Sequence, residues 1–452
     1  MTGASRFRAL VVTSLMLASV AACDSGKGKV AFVGGNLWNG TGIPPILDAV
    51  IIVSNGVIEA AGPPDVVKIP RKAEVWRVDG RWLIPGLLDA HAHVERWMLP
   101  ALLSHGITGV RDAGGEHDSI LALRDEINLG ATLGPRLFVS GAALDRSPAR
   151  GPAEGLSNTS EARRAIDQRV LVEVSQVMLS PGITPALLTP LLDEADSFLL
   201  PVAAHLGKID AITAANVGID AIEHLSGIVE ATVSSPNRYF RAHDHFYRGW
   251  GAALQGWSGL DSAALDRMAR LLADSGVAMV PTLHNLEALA HLRDRAFIDS
   301  LDLSTVPAAV RQGWDTARLA RDAQWTSRSF AAMRRGRPMQ DLFLRRFLAA
   351  GGLLAAGSNA PFPLIAPGPS LHDELELLVA AGLSTKDALL SVTRNVARLL
   401  DAPAIGTVEP GKSADFLILR GNPLEDISNI RAIEQIVYKG VRYYPEDFGR
   451  NP

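Results

Sequence analysis

Pro85-Gly86-Leu87-Leu88-Asp89-Ala90-His91-Ala92-His93 reads as an apolar strand that runs into two histidines two residues apart. Side chains alternate across a strand, so His91 and His93 face the same way and can offer ring nitrogens to one ion. A single His-x-His pair carries little weight. Downstream, however, His205 closes Pro201-Val202-Ala203-Ala204-His205 and His224 closes Ala221-Ile222-Glu223-His224. Four imidazoles ending three separate apolar strands form a far more specific combination, because neutral imidazole is a good ligand for Zn²⁺ and similar ions.

The strand beginning at Leu87 is the first of about eight that alternate with amphipathic segments. Residues 107–110, 136–139, 176–179, 202–205, 221–224, 278–280 and 353–356 each read as a buried strand, and helices are expected over 161–170, 261–274 and 371–381. Strand followed by helix, repeated in this way, predicts a closed parallel (β/α)8 TIM barrel over 85–402. A doubly wound open sheet has similar periodicity. The barrel is preferred because His91, His205, His224 and Asn359 come at or just after different strand ends, where barrel active sites assemble.

Both ends of the chain read differently. Residues 30–84 carry short strands broken by turns, with Asn55-Gly56 as a tight hairpin turn. Residues 403–452 repeat that texture at 415–419 and 433–438. Two strand-rich ends around a long middle predict one small composite β-sandwich in which edge strands from the two ends pair, with the barrel as an insertion. Residues 234–258 and 303–345 fit no simple repeat and are expected to pass over the barrel mouth as lids or contacts.

The formal charge of -4, without long basic runs, excludes a nucleic-acid backbone as partner. Arg334-Arg335-Gly336-Arg337 reads as a solvated helix end. No Gly-x-Ser-x-Gly elbow or phosphate loop is present, and the lone Cys23 can form no intrachain disulfide. At the start, Arg6 and Arg8 precede an apolar run over 9–20 and then Val20-Ala21-Ala22-Cys23, the order of an export signal. This run resembles the bacterial lipoprotein signal. The resemblance implies removal of the segment before Cys23, acylation of Cys23, a tether over 24–29, and retention at the periplasmic side of the inner membrane through Asp24. Ordinary cleavage to a soluble periplasmic or secreted protein stays open.

The segment from Pro85 to His93 resembles the first metal motif of the amidohydrolase superfamily, in particular its imidazolonepropionase-like and Xaa-Pro dipeptidase-like group. Gly106-Ile107-Thr108-Gly109-Val110-Arg111-Asp112-Ala113-Gly114-Gly115, Ile222-Glu223-His224, the stretch 372–384 and Gly406-Thr407-Val408-Glu409-Pro410-Gly411-Lys412-Ser413-Ala414-Asp415 are similar to further segments of that group. The resemblance implies a (β/α)8 barrel with a β-sandwich and metal-dependent hydrolysis, commonly of C–N bonds. It makes His91 and His93 ligands of a first metal, and His205 and His224 ligands of a second. Where the group has a bridging carboxylated lysine this chain has Met178, and where the group has an aspartate after the eighth strand it has Asn359.

A thioether is a poor ligand for a hard ion, and a neutral amide is no comparable base. Two close cations without a bridging anion would repel, so one divalent ion, zinc foremost, is expected. Three readings follow. In the first, His91, His93 and His205 hold the ion while His224 moves a proton or donates to an oxyanion, with Asn359 beside them. In the second, another acid replaces the missing groups, from Glu95, Asp112, Glu116, Glu223 and Glu287. In the third, chemistry is lost and the cavity only binds.

Arg111 and His284 are further candidates, as contacts to a small-molecule substrate. The leading expectation is hydrolysis of an amide, cyclic amide or peptide-like bond outside the cytoplasm. The alternative is a degenerate binding or scaffolding lipoprotein. A homo-oligomer is left open.

Overall fold

A computed structural model describes residues 27–149 and 151–449. The expectations placed on the export segment, Cys23 and the first part of the tether therefore lie outside the described residues. No helix among the described residues is long and apolar enough to cross a membrane.

The chain opens with β1 (Lys29–Leu37), β2 (Ile46–Ser54), β3 (Val57–Gly62), β4 (Glu74–Arg77) and β5 (Trp82–Pro85). The barrel region then carries β6 (Leu87–Ala92), β7 (Ile107–Asp112), β8 (Arg136–Phe138), β9 (Leu144–Arg146), β10 (Glu154–Leu156), β11 (Val177–Leu179), β12 (Val202–Ala204), β13 (Ala221–Glu223) and β14 (Ala278–Val280). After a helical stretch come β15 (Phe416–Leu419), β16 (Ile433–Tyr438) and β17 (Val441–Tyr443).

Strands from both ends form a single hydrogen-bonded sheet in the order β17-β16-β15-β5-β1-β2-β3, with β4 also on β1. The two ends meet edge to edge, as expected from the sequence: β5, the edge strand of the N-terminal set, pairs antiparallel with β15, the edge strand of the C-terminal set (Phe416↔Pro85), and is itself parallel to β1 (Asn36↔Trp82). An apolar strand such as Trp82-Leu83-Ile84-Pro85 satisfies its backbone best when flanked on both sides. Alternation puts Phe32, Ile51 and Phe416 in one buried cluster and Ala31, Val50 and Ile52 in another. The Phe32 and Phe416 rings meet edge to face at 4.9 Å.

Since β5 ends at Pro85 and β6 starts at Leu87, the small domain feeds directly into the barrel. The barrel staves are β6, β7, β8, β11, β12, β13, β14 and the segment 353–356, all parallel where paired. The ladder is interrupted at two seams that backbone hydrogen bonds still cross. At one, Ser175 N donates to Val139 O at 2.8 Å; at the other, Ala90 N donates to Ala356 O at 3.0 Å, Asn359 N to His91 O at 2.7 Å and His93 N to Ala360 O at 2.7 Å. The eighth stave is the weakest, reduced to one bridge between Met279 and Leu354. Gly357 explains how closely it approaches β6: a Cβ there would lie 2.6 Å from the His91 backbone nitrogen.

The helices start where local chemistry satisfies their free amides. Asn158, Asp210 and Asp261 each accept a backbone N–H in the first turn, an interaction worth about 1 kcal/mol. The arginine cluster at 334–337 lies inside the long helix Ser327–Ala349 rather than at a helix end, with Arg337 paired to Asp341 and Glu287.

Candidate active site

Odd-numbered residues of β6 point into the barrel, which brings Asp89, His91 and His93 to one side in ascending layers. The Asp89 carboxylate is fully buried and accepts from Ser358 Oγ (2.6 Å), Ser358 N (2.9 Å) and His91 N (3.0 Å). Burial pushes its pKa up to about 6 against those donors. This tie holds the residue before Asn359 onto the strand that carries the histidines. Sequence reading missed it, although a polar residue inside an otherwise apolar strand was a visible signal.

The histidine rings come together at the strand ends. Ring centroids are 5.4 Å apart for His91–His93, 4.5 Å for His91–His224 and 4.8 Å for His205–His224. Each of three rings is anchored through Nδ1. His91 Nδ1 donates to Glu223 Oε2 at 2.7 Å, His93 Nδ1 donates to Gly114 O at 2.6 Å, and His224 Nδ1 pairs with Thr282 Oγ1 at 2.7 Å. A donor role at Nδ1 leaves Nε2 as the lone-pair nitrogen. The buried Nε2 atoms of His91 and His205, and the buried Oδ1 of Asn359, have no hydrogen-bond partner.

Electrostatics favour the neutral form of His91, His205 and His224. Burial lowers the pKa of His91, partly opposed by Glu223, and burial together with the neighbouring imidazoles holds His205 and His224 well below the usual histidine value. Neutral imidazole is the form that binds a metal.

Rings sharing one tetrahedral ion stand roughly 5 Å apart, given a metal–nitrogen bond of about 2.1 Å, so the observed separations suit a single ion. Even so, no three His, Cys, Asp or Glu donors among the described residues already converge as a metal-binding group. The donor chemistry, with orphaned buried nitrogens and anchored Nδ1 atoms, fits one ion.

Behind the histidines lies a buried polar network. Glu223 bridges His91 to Arg111, whose Nη1 donates to Glu223 Oε1 at 2.7 Å and to Ala90 O at 3.0 Å. Arg111 Nε donates to Gln176, whose amide donates to Asp112 O at 3.2 Å. Burial favours protonated Glu223, but Arg111 and His91 outweigh it and hold the carboxyl below its ordinary range. Alanines at 113, 203, 221 and 278 pack beside Met178 and leave space for this large polar cluster.

Three site residues have left-handed backbones: His224 at φ +59°, Thr282 at +48° and Asn359 at +64°. Asparagine tolerates this region, whereas the β-branched Thr282 is strained there. Such strain at the ends of β13, β14 and the eighth stave is of the kind that collects at functional sites.

The structure sorts the sequence candidates. His91, His93, His205, His224, Met178 and Asn359 all line one cavity of about 900 Å³. Arg111 does not line it; the guanidinium is 1% exposed and spent on internal partners, so it supports His91 through Glu223 instead of meeting substrate. His284 also lies off the cavity, buried on the helix Leu283–Ala290 near Asp373. Among the candidate acids, Glu95 and Glu116 reach the cavity. Glu287 pairs with Arg337 and His291. Asp112 accepts from Val94 N and Gly114 N, with its pKa pushed up to about 6 by burial.

His243, within the excursion at 234–258, is buried 3.3 Å from Glu230. The excursion at 234–258 does reach the site, through Phe246 and Trp250 of the helix Phe246–Gly256. The excursion at 303–345 does not line the cavity.

The chain matches the amidohydrolase family model over residues 82–442. It belongs to the amidohydrolase family. This amidohydrolase is 28% identical over 407 residues to an imidazolonepropionase of Rhizorhabdus wittichii, covering 84% of this chain and 90% of the relative. It is 24% identical over 476 aligned positions to the ochratoxinase of Aspergillus niger, covering 94% and 88%. A solved Xaa-Pro dipeptidase with bound methionine superposes with a TM-score of 0.68 at 19% identity, over 92% of this chain and all (100%) of the other. The amidohydrolase therefore has a (β/α)8 barrel with a β-sandwich domain, its ladder interrupted at the two seams.

One buried acid of this amidohydrolase lends itself to a direct test. Glu374 accepts from His284 N at 2.7 Å, its Oε1 has no partner, and burial pushes its pKa from 4.5 up to about 7. With the folded value raised, its stabilising contribution is full below pH 4.5 and is lost as pH rises through 7. Glu374→Gln is therefore expected to match the parent at pH 5 and to gain up to about 3 kcal/mol at pH 8. Thermal unfolding at both pH values checks this; an equal shift at pH 5 and 8 would refute it.

Proposed function

We propose that this chain hydrolyses an amide, cyclic amide or peptide-like C–N bond with one divalent ion, zinc foremost, held by His91, His93 and His205. The observation that carries the reading is the group of orphaned, buried Nε2 atoms beside rings whose Nδ1 atoms are already anchored. The names of the imidazolonepropionase and Xaa-Pro dipeptidase relatives support amide-type substrates. A divalent ion there would supply Lewis acidity and lower the pKa of water.

The chain's own residues provide the rest. Glu223, itself held by Arg111, sets the His91 ring so that Nε2 faces the cavity chemistry. His224, neutral and oriented by Thr282, accepts a proton or donates to a developing oxyanion. The amide of Asn359 can hydrogen-bond but cannot take a proton as an aspartate would. Phe246, Trp250 and Phe362 restrict water around the reacting bond.

A second reading, a cavity that binds without turnover, is favoured by Met178 and Asn359, which stand in the cavity where related chains are expected to carry anionic groups. Metal analysis and assay separate the two. Full-length protein prepared in zinc medium without chelators is expected to hold about one ion per chain. It should hydrolyse members of an N-acyl amide panel, with activity lost to chelator and restored by zinc. Absence of bound ion together with no turnover would leave only the binding reading. Met178→Lys with Asn359→Asp is expected to raise the content to about two ions per chain; no gain in metal would argue against these strand assignments.

A further inference from the structure

The cavity has an uneven lining that bears on what it accepts. On the floor, the Trp250 indole packs 4.8 Å from His205 and 4.9 Å from His224, with Phe246 at 5.6 Å and Phe362 at 5.8 Å from Trp250. The Trp250 indole N–H is buried without an acceptor among the described residues. Ile120 and Leu123 supply apolar surface from the helix His117–Asn128. At the rim, imidazoles aside, the charged lining groups are Glu95, Glu116 and Arg96.

Arg96 is already engaged. Both of its terminal nitrogens donate to the Glu126 carboxylate at 2.7 Å, and one also donates to Thr132. Glu116 is an exposed N-cap whose carboxyl is held below its usual range by Ser119, so it is ionised at neutral pH. Arg111 is sealed behind Glu223. Among the described residues that line the cavity, a carboxylate would meet Glu95 and Glu116, while the one guanidinium there, that of Arg96, is already paired.

We propose that the cavity selects substrates with an aromatic or similarly large apolar group seated on Trp250, Phe246 and Phe362, and a neutral or cationic group at the Glu95–Glu116 rim. It disfavours substrates with a free carboxylate at that end. The proposal takes the hydrolytic reading above as its starting point and adds the substrate class. Planar rings stacked on an indole gain affinity beyond their buried area, and like charges at a partly solvated rim cost about three- to tenfold in affinity.

The probes are three ligands of matched size: phenylacetylglycine, phenylacetylglycinamide and N-phenylacetylethylenediamine, which carry a negative, neutral and positive end. Affinity for the zinc-supplemented full-length protein is measured by calorimetry, and cleavage by chromatography. The carboxylate is expected to bind about tenfold more weakly than the other two. Glu95→Gln with Glu116→Gln should close most of that gap, and Phe246→Ala should weaken all three alike by about tenfold.

Binding in this order without cleavage would sustain the selectivity while rejecting the hydrolytic reading. Cleavage with the carboxylate bound as well or better would overturn the selectivity while sustaining hydrolysis. A gap unchanged in the doubly substituted protein, or no saturable binding of any probe, would also overturn it.

Discussion

Arg111→Met is expected to destabilise the fold by about 3–5 kcal/mol, because it leaves the Glu223 carboxylate buried without its cationic partner. Arg111 is 1% exposed and Glu223 0%, so solvent cannot compensate. The same change should impair activity although Arg111 does not line the cavity, since Glu223 also orients His91. Arg111→Lys is not a conservative remedy, because one ammonium cannot reproduce contacts to Glu223, Gln176 and Ala90 O together. Adding Glu223→Gln to Arg111→Met should recover more than half of the lost stability. Urea unfolding of the single and double variants checks this, and equal losses in both would show that an unpaired Glu223 is not the cause.

The second large effect concerns the metal. His91→Ala is expected to reduce zinc to well below one ion per chain and to lower kcat/KM by about a hundredfold to a thousandfold. Its effect on stability should be small beside that of Arg111→Met, because Glu223 keeps its bond to Arg111. Metal content by mass spectrometry and assay with saturating zinc test it together. A variant that keeps both its ion and its turnover would remove His91 from the proposed ligand set.

The barrel was legible because its staves are apolar runs with a helix-period segment between them, as at 107–110, 202–205 and 278–280. The eighth stave was the exception. Residues 353–356 read as a strand like the others, but they pair with β14 through a single bridge, and on the other side Gly357 lets the chain press against His91. The histidines were legible for a similar reason: imidazole at the end of an apolar strand is costly to bury without a purpose.

The aromatic floor was not. Phe246 and Trp250 are four residues apart on a helix, a spacing equally suited to ordinary core packing. Only the placement of that helix over the strand ends brings them to His205 and His224.

From the order of residues alone came the alternation that aligns His91 with His93, the strand–helix period of the barrel, and the replacement chemistry of Met178 and Asn359. These depend on neighbours within a few positions, where backbone geometry leaves little choice. Tertiary structure decided that Arg111 serves Glu223 rather than a ligand, that His284 lies away from the cavity, and that Asp89 clasps Ser358 across 269 positions of chain. Those outcomes depend on which buried charges find each other when the barrel closes. A buried charge takes whichever partner the fold brings within hydrogen-bond reach, and sequence separation carries no information about that distance.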